Sequence, residues 1–129
     1  YLNKGLCDVA TLASSLKNKT EIENKNIVKV VTSNDIEKSG FSEALDFKRT
    51  IDQTKNKFIY HHIGIYGFTN KALIRYVNLK RSKLELERNL EQMRALENNM
   101  KIHVGYIKSN PLGIDTEKDF IEIKKIMEQ

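Results

Sequence analysis

The sequence of 129 residues contains a single cysteine, Cys7. An intrachain disulfide is therefore impossible, which suits a protein of a reducing compartment. The chain also lacks an apolar run of about 18 residues, the length that a membrane-spanning helix needs, and its first residues lack the apolar core of a signal peptide. Together these absences predict a cytoplasmic protein without a membrane partner.

Histidine is scarce as well, with only His61, His62 and His103 in the chain. Adjacent residues of a strand point to opposite faces, so His61 and His62 do not converge on one ion. The spacing of histidine and cysteine therefore excludes a zinc site of the usual kind.

Lys and Arg outnumber Asp and Glu by 22 to 17, which gives a formal net charge of +5. Such an excess is compatible with an anionic partner such as a nucleotide or a nucleic acid. The basic residues are scattered, however, and aromatic residues on which single-stranded bases could stack are not interleaved with them. This pattern favours a solvated lysine-rich surface over a nucleic-acid-binding module.

The length and the apolar fraction of 40% are typical of one soluble globular domain. Tyr1 stands where a natural chain would begin with Met, so we expect these residues to be part of a longer polypeptide. The pattern predicts strands over residues 7–13, 27–32, 41–49, 57–68 and 101–107, an extended loop up to Gly40, and helices over 71–77, 82–97 and from 116 onward. Thr69 or Asn70 can cap the first helix, and Ser82 with Glu85 forms a capping box at the second. The predicted inward residues are Leu73, Tyr76 and Val77 in the first and Leu86, Leu90, Met93 and Leu96 in the second. We therefore predict an α/β protein with a mixed sheet and packed helices.

The stretch from Lys57 to Phe68 alternates β-branched and aromatic residues and has no charge after its first residue. It predicts a strand buried on both faces, with His62, Gly64 and Tyr66 on one face. In an extended strand His62 and Tyr66 lie about 13 Å apart and flank bare backbone at Gly64, which predicts a ligand site between them. The alternative is a core histidine, with a neighbouring backbone packed on the glycine.

Three further positions carry groups suited to a ligand. Arg49 ends a predicted strand and either faces inward toward an anion or lies on the surface. Glu91 and Gln92 border the predicted inward stripe of helix 82–97 and are suited to gripping hydroxyls, with solvent exposure as the alternative. Asp115 precedes a helix cap in a loop between strand and helix, where a carboxylate holds magnesium or simply closes a turn.

Six segments resemble the carboxyl half of the 3-deoxy-manno-octulosonate cytidylyltransferases, also called CMP-Kdo synthetases. Those enzymes typically show A-T-L-A, N-x-N-x-V-K-V-V, A-L-x-F-S-R, H-I-G-I-Y-x-Y, L-E-x-x-E-x-L-E-Q-L-R and G-V-D-T-P-E-D-L in this order. The matching segments here are Ala10–Ala13, Asn24–Val31, Ala44–Arg49, His62–Phe68, Leu84–Arg94 and Gly113–Phe120. Lys48 and Phe68 depart from the family pattern, which has serine and tyrosine there.

The resemblance implies a fold like that of the nucleotide-diphospho-sugar transferases, with residues 1–129 forming the carboxyl-terminal half for sugar binding and dimerisation. It implies a magnesium-dependent nucleotidyltransferase that uses CTP to activate 3-deoxy-manno-octulosonate for lipopolysaccharide biosynthesis, as a cytoplasmic homodimer. By resemblance the sugar pocket comprises Arg49, His62, Tyr66, Glu91 and Gln92, and Asp115 is one of two metal-binding carboxylates. No catalytic residue is assigned in this half, and the fragment alone is expected to be inactive. The alternative function is a non-catalytic remnant or interaction module that lacks the nucleotide-binding half.

Overall fold

The computed structural model describes residues 5–52 and 58–108. This part of the chain contains five strands and five short helices. In order they are β1 (Val9–Ser14), α1 (Lys19–Glu23), β2 (Lys29–Thr32), α2 (Ile36–Ser39), β3 (Phe41–Lys48), β4 (Ile59–Phe68), α3 (Asn70–Val77), α4 (Lys83–Arg88), α5 (Gln92–Glu97) and β5 (Ile102–Tyr106).

The strands form one sheet in the order β1-β4-β2-β3-β5, and β5 pairs back onto β1 to close it. The β1–β5 pair is parallel and the other four pairs are antiparallel. The predicted mixed sheet with helices is therefore confirmed. Its closure was not predicted, because the period of two within a strand does not reveal which strands pair.

The main core fills the space between the sheet and helices α3 and α5. Residues of every strand contribute to it, and fully buried members include Val9, Val30, Phe47 and Val104. A second, smaller core cluster contains Leu12, Ile63 and Ile107. The long strand β4 supplies both clusters, but the prediction that it is buried on both faces was wrong, because Gly64 and Tyr66 are exposed and several other residues are only half-buried.

Three local predictions were wrong. The segment before Gly40, expected to be an extended loop, contains α2, which Asp35 caps by accepting from the backbone N–H of Glu37 at 3.0 Å. The helix expected over 82–97 is two helices, because Asn89 adopts a left-handed conformation with φ of 54° and ends α4. Leu86, placed in the inward stripe of that single helix, is consequently 60% exposed.

Helix α3 was also misjudged. Leu73 and Val77 were expected to face inward, but they are 44% and 65% exposed, and the buried residue of this helix is Ala72. Apolar side chains therefore remain on the outer surface of α3. None of the helices in the described residues is long and apolar enough to cross a membrane.

Candidate functional site

Strand β4 carries an irregularity opposite β1. Thr11 pairs with Tyr66 and Leu12 with Ile63, so Gly64 and Ile65 have no partner residue in β1. Two extra residues on one strand make a bulge, which shortens and bends that strand. Gly64 is exposed at the bulge, and a Cβ at this position would meet nothing within 4 Å.

The bulge overturns the predicted gap between His62 and Tyr66. Their ring centroids are 5.6 Å apart, so the two rings are in contact and leave no ligand-sized space between them. The estimate of about 13 Å is the backbone rise over four residues of a regular strand, whereas the 5.6 Å joins the two ring centroids, so the side chains meet across Gly64. The alternative for Gly64 is not supported either, since nothing in the described chain lies close to its Cβ position.

His62 is a buried and hydrogen-bonded residue, with 7% of its surface exposed. Its Nε2 lies 2.9 Å from the hydroxyl of Thr11, and the edge of its ring meets Phe47 at a centroid distance of 4.9 Å. Burial, reinforced by the neighbouring His61, lowers the pKa of His62 to about 3. The imidazole is therefore neutral at physiological pH and can offer one donor and one acceptor.

A cavity of about 210 Å³ lies next to this ring contact. Tyr66, Glu91 and Gln92, three residues that the sequence proposed for one pocket, all line it. The remaining wall is mostly apolar and comprises Val9, Phe68, Leu73, Tyr76, Val77, Ala95 and Ile102. The structure thus brings together two segments 25 residues apart, as a pocket requires.

The break between α4 and α5 places Glu91 and Gln92 on the wall of the cavity. After Asn89 the chain turns, Leu90 is buried in the core, and α5 begins at Gln92 with Glu91 at its N-cap position. In a continuous helix these residues would have flanked one stripe, whereas here the first turn of α5 faces Tyr66. The sequence named the residues but not the turn that positions them.

The wall beside Glu91 is held by residues that sequence reasoning did not single out. The Tyr76 hydroxyl donates to the carbonyl oxygen of Glu91 at 3.1 Å, and the guanidinium of Arg94 lies over the Tyr76 ring at 4.9 Å. Arg94 also donates to both carboxylate oxygens of Glu85, at 2.9 and 2.6 Å. This pairing lowers the pKa of Glu85 and keeps it ionised. The sequence pointed to Glu85 only through its capping box with Ser82, and to Arg94 only through the family segment Leu84–Arg94.

Burial raises the pKa values of Tyr66 and Tyr76. Both phenols therefore stay protonated and can donate a hydrogen bond at neutral pH. With the aromatic ring of Phe68 in contact with both, the rings form one continuous row along the cavity.

Arg49 does not lie in this cavity. Its guanidinium donates to three backbone carbonyls, those of Lys25 at 3.2 Å, Arg88 at 3.1 Å and Asn89 at 3.1 Å. It borders a separate groove of about 410 Å³ that Lys48, Thr50, Glu87 and Arg88 also line. The structure gives this arginine a role in joining β3 to the end of α4, and its role in sugar binding stays a prediction.

Asp115, the predicted metal ligand, and the predicted helix from residue 116 lie outside the described residues. Within residues 5–52 and 58–108, no group of three or more His, Cys, Asp or Glu side chains is arranged to hold a metal ion. The magnesium prediction therefore stays a prediction.

Comparison with known proteins identifies the family to which this chain belongs. Residues 1–102 match the family described as cytidylyltransferase. The chain belongs to the cytidylyltransferase family. This membership confirms the family that the six sequence segments indicated.

Curated cytidylyltransferases resemble most of the chain. The 3-deoxy-manno-octulosonate cytidylyltransferases of Bartonella tribocorum and Bartonella bacilliformis are 38% and 40% identical over 126 residues, which is 98% of this chain and 51% of each relative. The enzyme of that name from Rhizobium meliloti is 42% identical over 120 residues, 93% of this chain and 47% of the relative. The chain thus spans about half the length of the curated relatives it matches.

A solved structure of CMP:2-keto-3-deoxy-manno-octonic acid synthetase complexed with CTP has the same fold. It matches with a TM-score of 0.72 and 26% identity, covering 99% of this chain and 52% of that one. This match confirms the predicted α/β fold class and the predicted relation to that synthetase. The individual roles proposed for Arg49, His62, Tyr66, Glu91 and Gln92 are not tested by it.

Proposed function

We propose that this chain forms the sugar-binding side of an enzyme that transfers cytidylate from CTP to 3-deoxy-manno-octulosonate and releases pyrophosphate. The support is membership of the cytidylyltransferase family together with relatives named for this reaction. The product, CMP-Kdo, would serve lipopolysaccharide biosynthesis. No observation here favours the non-catalytic alternative.

The single observation that carries the proposal is the shared cavity of Tyr66, Glu91 and Gln92. A carboxylate and an amide can accept and donate hydrogen bonds to vicinal hydroxyls, and the Tyr66 phenol adds a donor. The aromatic rings of Phe68 and Tyr76 give an apolar surface on which the C–H face of a sugar can pack. Few polar groups on an apolar wall are the usual composition of a small-molecule site.

The reaction places particular demands on such a site. An oxygen of the sugar acid attacks the α-phosphorus of CTP, the bond to the β-phosphate oxygen breaks, and pyrophosphate leaves. Positioning and charge neutralisation dominate this chemistry. We assign the positioning of the acceptor to the cavity residues and no general base to the described chain.

Magnesium, dimerisation and location complete the proposal. We propose that Asp115 contributes to a magnesium site, and that the active protein is a cytoplasmic homodimer that binds CTP, all from resemblance. The described residues do not form a metal site, so the ligands of the ion would have to include residues outside them. The ion would neutralise charge on the triphosphate.

A titration of the 129-residue chain with 3-deoxy-manno-octulosonate, followed by ¹H–¹⁵N NMR, tests the proposal. We expect shifts centred on Tyr66 and Gln92. Gln92→Leu should weaken binding about tenfold, because one hydrogen bond to the sugar is lost. Glu87→Gln, on the wall of the other groove, is the matched control and should bind like the unmodified chain.

Two results would contradict this function. The first is no sugar-dependent shift at any cavity residue at saturating concentration. The second is equal loss of affinity in Gln92→Leu and Glu87→Gln, which would place the sugar elsewhere. For magnesium, broadening of NMR signals by Mn²⁺ around Asp115 should disappear in Asp115→Asn, and unchanged broadening would remove this residue from the metal site.

A further inference from the structure

Thr11 occupies an unusual position opposite the bulge in β4. It is fully buried in β1, and the register between β1 and β4 shifts directly after it. Its hydroxyl oxygen lies 2.8 Å from the carbonyl oxygen of Ile65, 3.1 Å from that of Ile63 and 2.9 Å from Nε2 of His62. One buried side chain thus contacts both backbone carbonyls that flank Gly64 and the imidazole beside them.

The protons in this cluster can be placed by counting donors. A threonine hydroxyl has one proton, and the carbonyl oxygens of Ile63 and Ile65 can only accept. Two oxygens as close as 2.8 to 3.1 Å repel each other unless a proton lies between them, so the hydroxyl proton points to these oxygens. The contact with His62 is then satisfied only if Nε2 carries a proton and donates it to the threonine oxygen. In a neutral imidazole this leaves Nδ1 as the acceptor.

We propose that Thr11 is a positioning residue that fixes the Gly64 bulge, holds His62 as the Nε2–H tautomer and thereby sets the placement of Tyr66 on the cavity wall. The first part stands on the geometry of Thr11 alone. The consequence for a sugar rests on the proposed function and passes through Tyr66, which contacts His62 and lines the cavity.

The bulge links this hydroxyl to the cavity. The two carbonyls flanking Gly64 both lie within 3.1 Å of the Thr11 hydroxyl, and the Tyr66 ring, one residue after Ile65, lies 5.6 Å from that of His62. Tyr66 in turn lines the cavity. Removing the hydroxyl would therefore release both the ring orientation of His62 and the placement of Tyr66.

Thr32 provides a matched control. It is 2% exposed, it also lies at a register shift, here between β2 and β3, and its hydroxyl donates to the carbonyl oxygen of Asn34 at 2.7 Å. Thr32→Val therefore removes a buried hydroxyl–carbonyl bond of the same type. The difference is that the Thr32 hydroxyl bonds Asn34 and not a histidine.

The experiment uses long-range ¹H–¹⁵N NMR of the histidine rings in the 129-residue chain and in Thr11→Val, Thr11→Ser and Thr32→Val. The unmodified chain, Thr11→Ser and Thr32→Val should show His62 with Nε2 protonated. Thr11→Val should show a shifted tautomer population and weaker NOEs between the His62 and Tyr66 rings. A merely structural threonine would not discriminate between tautomers.

A protonated Nδ1 in the unmodified chain would overturn the inference without any variant. It would also be overturned if Thr11→Ser changed the tautomer while folding normally, or if Thr11→Val left both the tautomer and the NOEs unchanged. If Thr11→Val does not fold, the unmodified chain and Thr11→Ser still decide the question, because both retain the hydroxyl.

Sugar binding separates this inference from the proposed function. Thr11→Val should weaken binding of 3-deoxy-manno-octulosonate about tenfold, and Thr11→Ser should restore it. If the unmodified chain binds no sugar, the proposed function fails while the tautomer result stands. If the sugar binds and Nε2 carries no proton, the function stands and the role of Thr11 fails.

Discussion

The cavity and the groove both lie near the turn between α4 and α5, and they differ in what their polar groups contact. The cavity of about 210 Å³ has Glu91 and Gln92 at the start of α5, set against a wall of apolar and aromatic side chains. The groove of about 410 Å³ has Arg49 and Arg88, both of which donate to backbone carbonyls. Three of the five N–H donors of the Arg49 guanidinium are thus already used by backbone carbonyls, which holds its side chain in place beside the groove.

The comparison shows that charge alone is a poor guide to a site. Arg49 was the most obvious anion ligand in the sequence, yet its guanidinium bonds three carbonyls from two segments. The fully buried Lys29 behaves similarly, because its ammonium donates to the carbonyls of Asn24 and Arg49 at 2.6 Å each. Near the groove, the side chains of Arg49 and Lys29 therefore hold separate backbone segments together through hydrogen bonds.

The largest expected effect concerns the wall of the cavity. Arg94→Met removes both bonds to Glu85, which is 5% exposed, and should lower the free energy of unfolding by about 3 kcal/mol. Asp46→Asn, which neutralises the carboxylate of the Arg88 pair beside the groove, should lower it by only about 1 kcal/mol because that pair is more exposed. Urea denaturation followed by circular dichroism measures both, and equal losses would abolish the distinction between the two walls.

The same pair gives a pH dependence. Its bond to Arg94 lowers the pKa of Glu85 below the ordinary 4.5, so its contribution to stability is present above that value and is lost as pH falls through the lower folded pKa. In Arg94→Met this part of the acid dependence should disappear.

A second pH effect arises from His62 behind the cavity. Its pKa falls from 6.5 to about 3 on folding, so the unfolded chain binds more protons between these values and stability decreases as pH drops below 6.5. From pH 7 to pH 5 the loss attributable to His62 should be about 2 kcal/mol. His62→Gln should remove it in urea titrations at the two pH values, whereas His61→Gln should leave most of it. Identical pH dependence in His62→Gln and the unmodified chain would mean that the ring is not buried.

A smaller effect is expected at the groove. Arg49→Gln leaves three carbonyls without their guanidinium partner and should lower the free energy of unfolding by about 1.5 kcal/mol. Sugar titration of the same variant decides the predicted ligand role. If Arg49→Gln binds the sugar about tenfold more weakly, Arg49 contributes to sugar binding. If its affinity is unchanged, Arg49 serves only to stabilise the fold.

The smallest effect should be at the bulge. Gly64→Ala adds a methyl group into open space and should change stability by less than about 0.5 kcal/mol. Gly105→Ala is the contrast, because its Cβ would lie 2.6 Å from the Phe41 ring and should cost about 2 kcal/mol. Thermal denaturation of both variants measures the difference. A large loss in Gly64→Ala would show that the bulge is closed to solvent.

The elements themselves were largely predictable. The strand over 57–68 and the helix after Thr69 followed from alternation and capping, and their observed bounds, Ile59–Phe68 and Asn70–Val77, differ by a few residues. The helix over 82–97 was wrong in its middle, because Asn89 gives no periodic signal that it will adopt a left-handed conformation. Local pattern identifies an element, but a break within it depends on how the two halves pack.

By itself, the sequence determined the family of this chain and its α/β class, and it named Tyr66, Glu91 and Gln92 together, which the structure brings to one cavity. Tertiary structure alone decided that His62 and Tyr66 touch, that Arg49 holds backbone, and that the sheet closes on itself. The physical reason is that side-chain types and spacing are local properties of the chain. Strand register, bulges and the burial of a charge are set by residues distant in sequence, which only the packed fold brings into contact.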